Sequence, residues 1–280
     1  MSLIPKVYME AVLSIGTRSN AGINWIGTGF FVVKIIDDDK YQPFMVTNRH
    51  VLDGLSSVVI RLKEKDTGRL RIIDMPIVEN GKKLYSIHSD DSVDVAVVLI
   101  NGGFITENNL EFSAFNIDDN TLTSTQFLQK GGDEGSYIYM LGFPMGLVNA
   151  DSNAPICRGG CVARIDSTEI LRSKNILLDI QNFPGNSGSP IISRPEVVGI
   201  GDTPVLNQCA LIGIIHGYLP YKEQLINSQT HEVVEIRSEN SGIAVANPAE
   251  FIQEVVEIEM KRNYADASDA GQEVQRHGLR

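Results

Sequence analysis

Three cysteines in 280 residues, Cys157, Cys161 and Cys209, are too few and odd in number to frame a disulfide scaffold. Free thiols are the expected state, and with them a cytoplasmic location. No further Cys or His pair stands at zinc-site spacing from Cys157 and Cys161, so neither a metal nor a cofactor is expected. Basic charge is also short. Lys and Arg number 24 against 35 Asp and Glu, a net charge of −11. That balance excludes a general nucleic-acid or anionic-membrane binder, whose affinity comes from neutralising phosphates. A run of about 18 apolar residues is missing, so no membrane span is expected. The opening "MSLIPKVYMEAVLSIG" lacks a basic stretch followed by an apolar one, so no secretory leader is expected either. No repeat at a solenoid period is present.

What is present is a rhythm of short runs rich in Val, Ile, Phe and Tyr, broken by Gly, Asn and Asp. "GTGFFVVKII", "YQPFMVTN", "LSSVVIRLK", "DVAVVLI", "SYIYMLGF", "NILLDIQN", "SPIIS" and "ALIGIIHGYL" each read as a strand, and together as an all-β barrel or sandwich. Only two segments read as helical: "HVLDGL" after His50, and "NPAEFIQEVVEIEMKR" at 247–262. In the second, Asn247 is the candidate N-cap, Pro248 takes the first helical position, and Phe251, Ile252, Val255, Val256 and Ile258 form the apolar face. The remainder, 263–280, is polar and expected to be disordered. The stretch 116–135 is the most loop-like interior segment and a joint between halves. Units of 1–118 and 119–262 follow. The acidic loops at 37–39, 66–83 and 131–135 leave room for a regulatory partner.

One stretch raises a chemical question. "QNFPGNSGSP", residues 181–190, sets Ser187 between Gly185, Asn186 and Gly188. Serine becomes a nucleophile only when a base takes its proton, a carboxylate orients that base, and donors await the oxyanion. His50 in "FMVTNRHVLDG" is the candidate base, where an apolar strand runs into a turn. Asp94 in "DSVDVAVVLI" is the candidate orienting acid, standing directly before a strand. Gly185 can take backbone angles closed to other residues, so its N–H and that of Ser187 are the candidate oxyanion hole.

The order His50, Asp94, Ser187, with "TNRH", "DVAVVLI" and "GNSGSP", resembles the trypsin/chymotrypsin-like serine proteases. The gaps, 44 residues from 50 to 94 and 93 from 94 to 187, are close to that family's, and the likeness covers about residues 10–258. It implies two six-stranded antiparallel barrels with the catalytic groups in the cleft between them, a C-terminal helix, and a serine endopeptidase working through an acyl-enzyme. Ser189, after the turn, is set aside as a strand-supporting residue.

Departures from the family sharpen the expectation. Where its digestive members have an aspartate that pairs with a freshly cut N-terminus, this chain has Asn186, so no N-terminal activation cleavage is expected. In this, and in lacking a disulfide frame, the chain looks more like the Deg-like proteases and the glutamyl endopeptidases, and "MLGFPMGLV" at 140–148 resembles the "G-x-P-x-G" loop of the Deg-like group. The resemblance implies a specificity pocket from Gln181, Asn182, Ile215, His216, Gly217 and Tyr218. Gln181 stands where trypsin-like members carry an aspartate, which argues against Arg or Lys preference. His216 lies one residue beyond the family's "G-I-H" histidine, a shift that reverses the strand face, so it is either a pocket residue or a cleft-supporting one. His88 and His231 are expected at the surface, and His277 in the tail. The expected substrate is a protein or peptide. Two alternatives stand beside the active enzyme: a catalytically silent, protease-like binding module, and a protease latent until a partner orders its loops.

Overall fold

The computed structural model describes residues 4–37, 40–196, 201 and 204–277. The N-terminal half holds β1 (Val12–Ser19), β2 (Gly22–Asp37), β3 (Lys40–Thr47), β4 (Ser57–Lys63), β5 (Leu70–Pro76), β6 (Val78–Glu79), β7 (Lys82–Lys83), β8 (Tyr85–Ile87), β9 (Ala96–Leu99) and β10 (Phe115–Asn116). The C-terminal half holds β11 (Tyr137–Gly142), β12 (Ile156–Arg164), β13 (Ile176–Asp179), β14 (Pro190–Ser193), β15 (Leu211–Ile226) and β16 (Val233–Pro248). Between and after them lie α1 (Lys6–Glu10), α2 (Arg49–Leu52), α3 (Gly102–Glu107), α4 (Ser124–Gln129), α5 (Ser167–Ser173) and α6 (Ala249–His277).

The C-terminal strands close into a barrel in the order β11-β12-β13-β16-β15-β14. The N-terminal strands follow the path β5-β4-β1-β2-β3-β9-β8, with β10 added beside β2. This is the chymotrypsin-like, mostly β architecture with a C-terminal helix. The N-terminal half departs from a closed six-stranded barrel, because no ladder joins β5 to β8 among the described residues. Side chains bridge that seam instead: Ile73, Met75, Leu84 and Val98 face an apolar cavity of about 300 Å³.

The central N-terminal strands are buried on both faces, which explains their nearly continuous apolar runs. Successive strand residues point to opposite faces. Phe31, Met45 and Val98 therefore fill the interior of this half with Leu13, Ile15 and Ile60. Their neighbours Phe30, Phe44 and Val97 face outward into a second core, shared with Ile138, Met140, Ile191 and Ile214 of the barrel and with Phe251, Ile252, Val255 and Val256 of α6. The halves thus meet on a common apolar layer, and α6 lies against β8, β9 and β15.

Several local expectations change. Segment 116–135 contains α4, whose capping box pairs Thr123 with Gln126. α1, α3 and α5 are also helical where no helix is expected. Asn247 does not cap α6: it is the last residue but one of β16, fully buried, with its side chain turned to the N-terminal half. α6 does not end at 262 but continues to His277, through a stretch with three alanines and no proline. Residues 38–39 of the 37–39 loop, and 278–280 of the tail, lie outside the described residues. His88 is not a surface group, since its Nε2 meets Glu254 of α6 at 2.8 Å and its ring lies edge-on to Phe251. His231 is exposed, in the turn between β15 and β16.

Candidate active site

β3 and β9 run antiparallel with Thr47 opposite Ala96, so the end of β3 and the start of β9 lie at the same sheet edge. That register carries His50, on α2, next to Asp94. The Nδ1 of His50 makes a short hydrogen bond to Asp94 Oδ2, and its backbone N–H donates to Asp94 Oδ1 at 3.1 Å. A carboxylate accepts, so Nδ1 is the donor in this bond and Nε2 is the ring nitrogen left uncommitted by Asp94. Asp94 is held at its own backbone too. Its carbonyl accepts from Asn48 Nδ2 at 2.7 Å, and its N–H donates to Asn247 Oδ1 at 2.9 Å, across the boundary between the halves.

The Ser187 backbone is held near this pair by Gly27 and Thr28 of β2, and among the described residues no hydrogen bond joins Ser187 Oγ to His50. A Cβ on Gly27 would meet Val51, the residue after His50, at 2.9 Å and the Ser187 carbonyl at 3.4 Å. Only a glycine lets the two catalytic segments approach this closely. Thr28 makes four bonds at the same point. Its N–H donates to the Ser187 carbonyl at 2.8 Å, and its hydroxyl donates to the Gly185 carbonyl at 2.7 Å. That hydroxyl accepts the Phe143 N–H at 3.1 Å, and its carbonyl accepts the Thr47 hydroxyl at 2.7 Å. Gly188, at φ +88°, completes the packing, since a Cβ there would sit 1.9 Å from the Thr28 carbonyl oxygen.

The turn before the serine leaves two backbone N–H groups without partners among the described residues. The Met145 N–H donates to the Pro184 carbonyl at 2.5 Å. The two polar groups of a trans peptide point in opposite directions, so this bond turns the Gly185 N–H away from the 143–146 turn. Gly185 takes φ +93°, and a Cβ there would lie 2.4 Å from the Phe143 carbonyl. Neither the Gly185 N–H nor the Ser187 N–H has a partner among the described residues. Two uncommitted donors therefore flank the serine.

The expected pocket residues divide into two groups. Asn182 donates through Nδ2 to the Gly217 carbonyl at 2.9 Å, and its own carbonyl accepts Asn240 Nδ2 at 2.5 Å. Gln181 is exposed, with Nε2 at 3.2 Å from where Gly242 would carry a Cβ. Tyr218 is also exposed. These residues and Gly217 lie together beside the serine turn. Asn240 and Gly242 belong to the same wall and were missed from the sequence, because only the β15–β16 pairing places them there. Ile215 is different. Its side chain is fully buried, its carbonyl accepts the Gly188 N–H and its N–H donates to the Ser189 carbonyl, both at 3.0 Å, so only its backbone carbonyl, with a second lone pair, remains open to a substrate. His216 points elsewhere as well, with Nε2 2.8 Å from Asn175 Oδ1. Ser189 is fully buried behind the turn, as a strand-supporting residue would be. Among the described residues no cluster of His, Cys, Asp and Glu could hold a metal ion, and no helix is long and apolar enough to cross a membrane.

A two-part β fold with a histidine, a carboxylate and a glycine-flanked serine at the meeting of its halves defines the chymotrypsin-like class. The profile of the trypsin-like peptidase domain matches residues 27–200, which is more than half of the chain, and the chain belongs to that family. Among solved structures, it is similar to an HtrA-type protease, AlgW with a decapeptide, at 17% identity and a TM-score of 0.46. That likeness covers 91% of this chain and 66% of the AlgW chain, so this chain spans a little under two thirds of AlgW's length. It is also similar to the MamO protease domain from Magnetospirillum magneticum, in its apo form, at 14% identity and a TM-score of 0.41, covering 89% of this chain and 96% of that one. No curated protein sequence matches the chain.

Proposed function

We propose that the chain is a serine endopeptidase that cleaves protein or peptide substrates in the cytoplasm without a cofactor. The observation that carries this reading is the His50–Asp94 hydrogen bond beside the serine turn. With Nδ1 bonded to Asp94, Nε2 is free to take the Ser187 proton, while the Gly185 and Ser187 N–H groups stand uncommitted. Ser187 Oγ attacks the scissile carbonyl as Nε2 receives its proton, and the two N–H groups stabilise the oxyanion. His50 then returns the proton to the leaving amine, and water hydrolyses the acyl-enzyme by the same route. Asp94 keeps the imidazole in the productive tautomer and offsets the charge it gains.

N-terminal cleavage plays no part in this proposal. Asn186 carries no charge to pair with a new terminus, and the oxyanion turn is instead held by Thr28 and Met145. Replacing Ser187 by Ala should abolish peptide cleavage and fluorophosphonate labelling with the circular-dichroism spectrum and melting temperature unchanged. A wild-type chain that neither labels nor cleaves, yet binds peptides, would instead be the silent binding module.

A further inference from the structure

His216 is a half-buried histidine that the catalytic cycle does not use, and it lies within electrostatic reach of both Asp94 and His50. Its protonation state follows from a chain of bonds that begins in the backbone. Asn247 Nδ2 faces the Lys174 carbonyl at 2.8 Å, while Asn247 Oδ1 accepts the Asp94 N–H at 2.9 Å. Peptide groups cannot exchange donor and acceptor, so the Asn247 amide has one orientation. The same Nδ2 lies 3.1 Å from Asn175, and the Asn175 atom facing it must therefore be the oxygen, Oδ1. That oxygen is also the atom 2.8 Å from His216 Nε2, so Nε2 must carry a proton. His216 thus donates, Asn175 accepts twice, and Asn247 transmits the constraint to the Asp94 backbone.

We propose that His216 is a positioning residue for the catalytic carboxylate, donating through Nε2 to lock Asn175 and Asn247 behind Asp94. Burial favours the neutral imidazole, and a charge on His50 favours it further, while Asp94 pulls in the opposite direction; the balance holds the His216 pKa below its ordinary value.

The role rests on the proteolytic reading above, and it separates His216 from a specificity function. Replacing His216 by Ala should lower kcat by roughly tenfold to a hundredfold, the scale expected when a catalytic group is misplaced. KM and the cleavage preference on a peptide library should stay as in the wild type. His216→Gln, which can present an amide N–H to Asn175, should recover most of the lost kcat. A readout independent of turnover is the low-field proton resonance of His50 Nδ1, followed by NMR in the Ser187→Ala background. It should shift or broaden on adding His216→Ala and return with His216→Gln. An altered cleavage preference with kcat kept, an unchanged kcat, or a resonance indifferent to residue 216 would overturn the positioning role while leaving the protease reading intact. A wild-type chain without labelling or cleavage would overturn the protease reading. The resonance in the Ser187→Ala background would then still decide whether His216 positions the pair.

Discussion

At the scale of single residues, Thr28 sets the geometry of the serine turn. Its hydroxyl stands between the Gly185 carbonyl and the Phe143 N–H, and both are backbone groups in buried surroundings. Thr28→Val keeps the shape but strands both. The expected cost is about 1–3 kcal/mol for each unpaired group, read as a lower denaturation midpoint. Because the Gly185 carbonyl loses its anchor, kcat should fall more than KM rises. Gly188→Ala meets a harder obstacle, a positive φ together with the Thr28 oxygen at 1.9 Å. Its loss of stability should exceed about 4 kcal/mol by urea denaturation, the range reserved for backbone collision and strain.

Which of these residues could be read from the sequence depended on how local their signals are. His50, Asp94 and Ser187 each sit in a short stretch with its own logic: a strand end, a strand start and a glycine-flanked turn. Asn247 showed the opposite. An asparagine directly before Pro-Ala-Glu reads as a helix cap, and only the approach of β9 to β16 reveals that its side chain serves Asp94. His216 was ambiguous for the same reason, since the face of a strand residue depends on partners 41 residues away in the chain.

At the scale of elements, α6 clamps the two halves. Glu259 is fully buried, bonded to Ser86 of β8 at 2.6 Å and paired with Arg262 on its own helix. Arg262 also donates to the Lys83 carbonyl at 2.9 Å. Replacing Arg262 by Ala leaves an uncompensated carboxylate, and the expected loss is about 3–5 kcal/mol in chemical denaturation. The helix beginning at Ala249 and its apolar face were legible as a periodic pattern, whereas its continuation to His277 was not, because polar sequence with fair helix propensity looks the same as a tail. The long ribbon of β15 and β16 was equally hidden. Beyond Tyr218, its strands pair only with each other among the described residues and expose Tyr221, Ile226, Val234 and Ile236. Replacing 222–238 by a short glycine turn should leave the melting temperature within a few degrees of the wild type, since two exposed strands contribute little on their own.

At the scale of the whole molecule, the strand rhythm carried the class of the fold, and the ordered catalytic triplet carried its pairing into halves. The open seam between β5 and β8 was invisible, because hydrophobic patterning records which side chains turn inward and not which edges meet. Stability at high pH also belongs to this scale. Burial pushes the Tyr8 hydroxyl and the Cys209 thiol up to about 12 each, and the Tyr8 hydroxyl donates to the Cys209 carbonyl at 3.0 Å where α1 meets the barrel. Both groups hold their protons more tightly folded than unfolded. Their contribution is complete below the unfolded values of 9.0 and 10.0, and is lost as pH climbs towards about 12. Denaturation midpoints should therefore stay level from pH 7 to 8 and fall from about pH 9 towards 12, with the Cys209 thiol slow to react with a disulfide reagent at pH 8.

The bond from Asp94 to Asn247 has a consequence for how the molecule comes into being. A ribosome releases His50, Asp94 and Ser187 well before it releases Asn247, so every nucleophilic and basic group emerges ahead of the residue that anchors the carboxylate. A chain still being synthesised is unfinished at its chemistry as well as at its core. Fragments ending at residue 246 should therefore carry the triad and still resist fluorophosphonate labelling. On the proposed reading, the order of translation is itself a safety catch that would spare the chain's neighbours on the polysome.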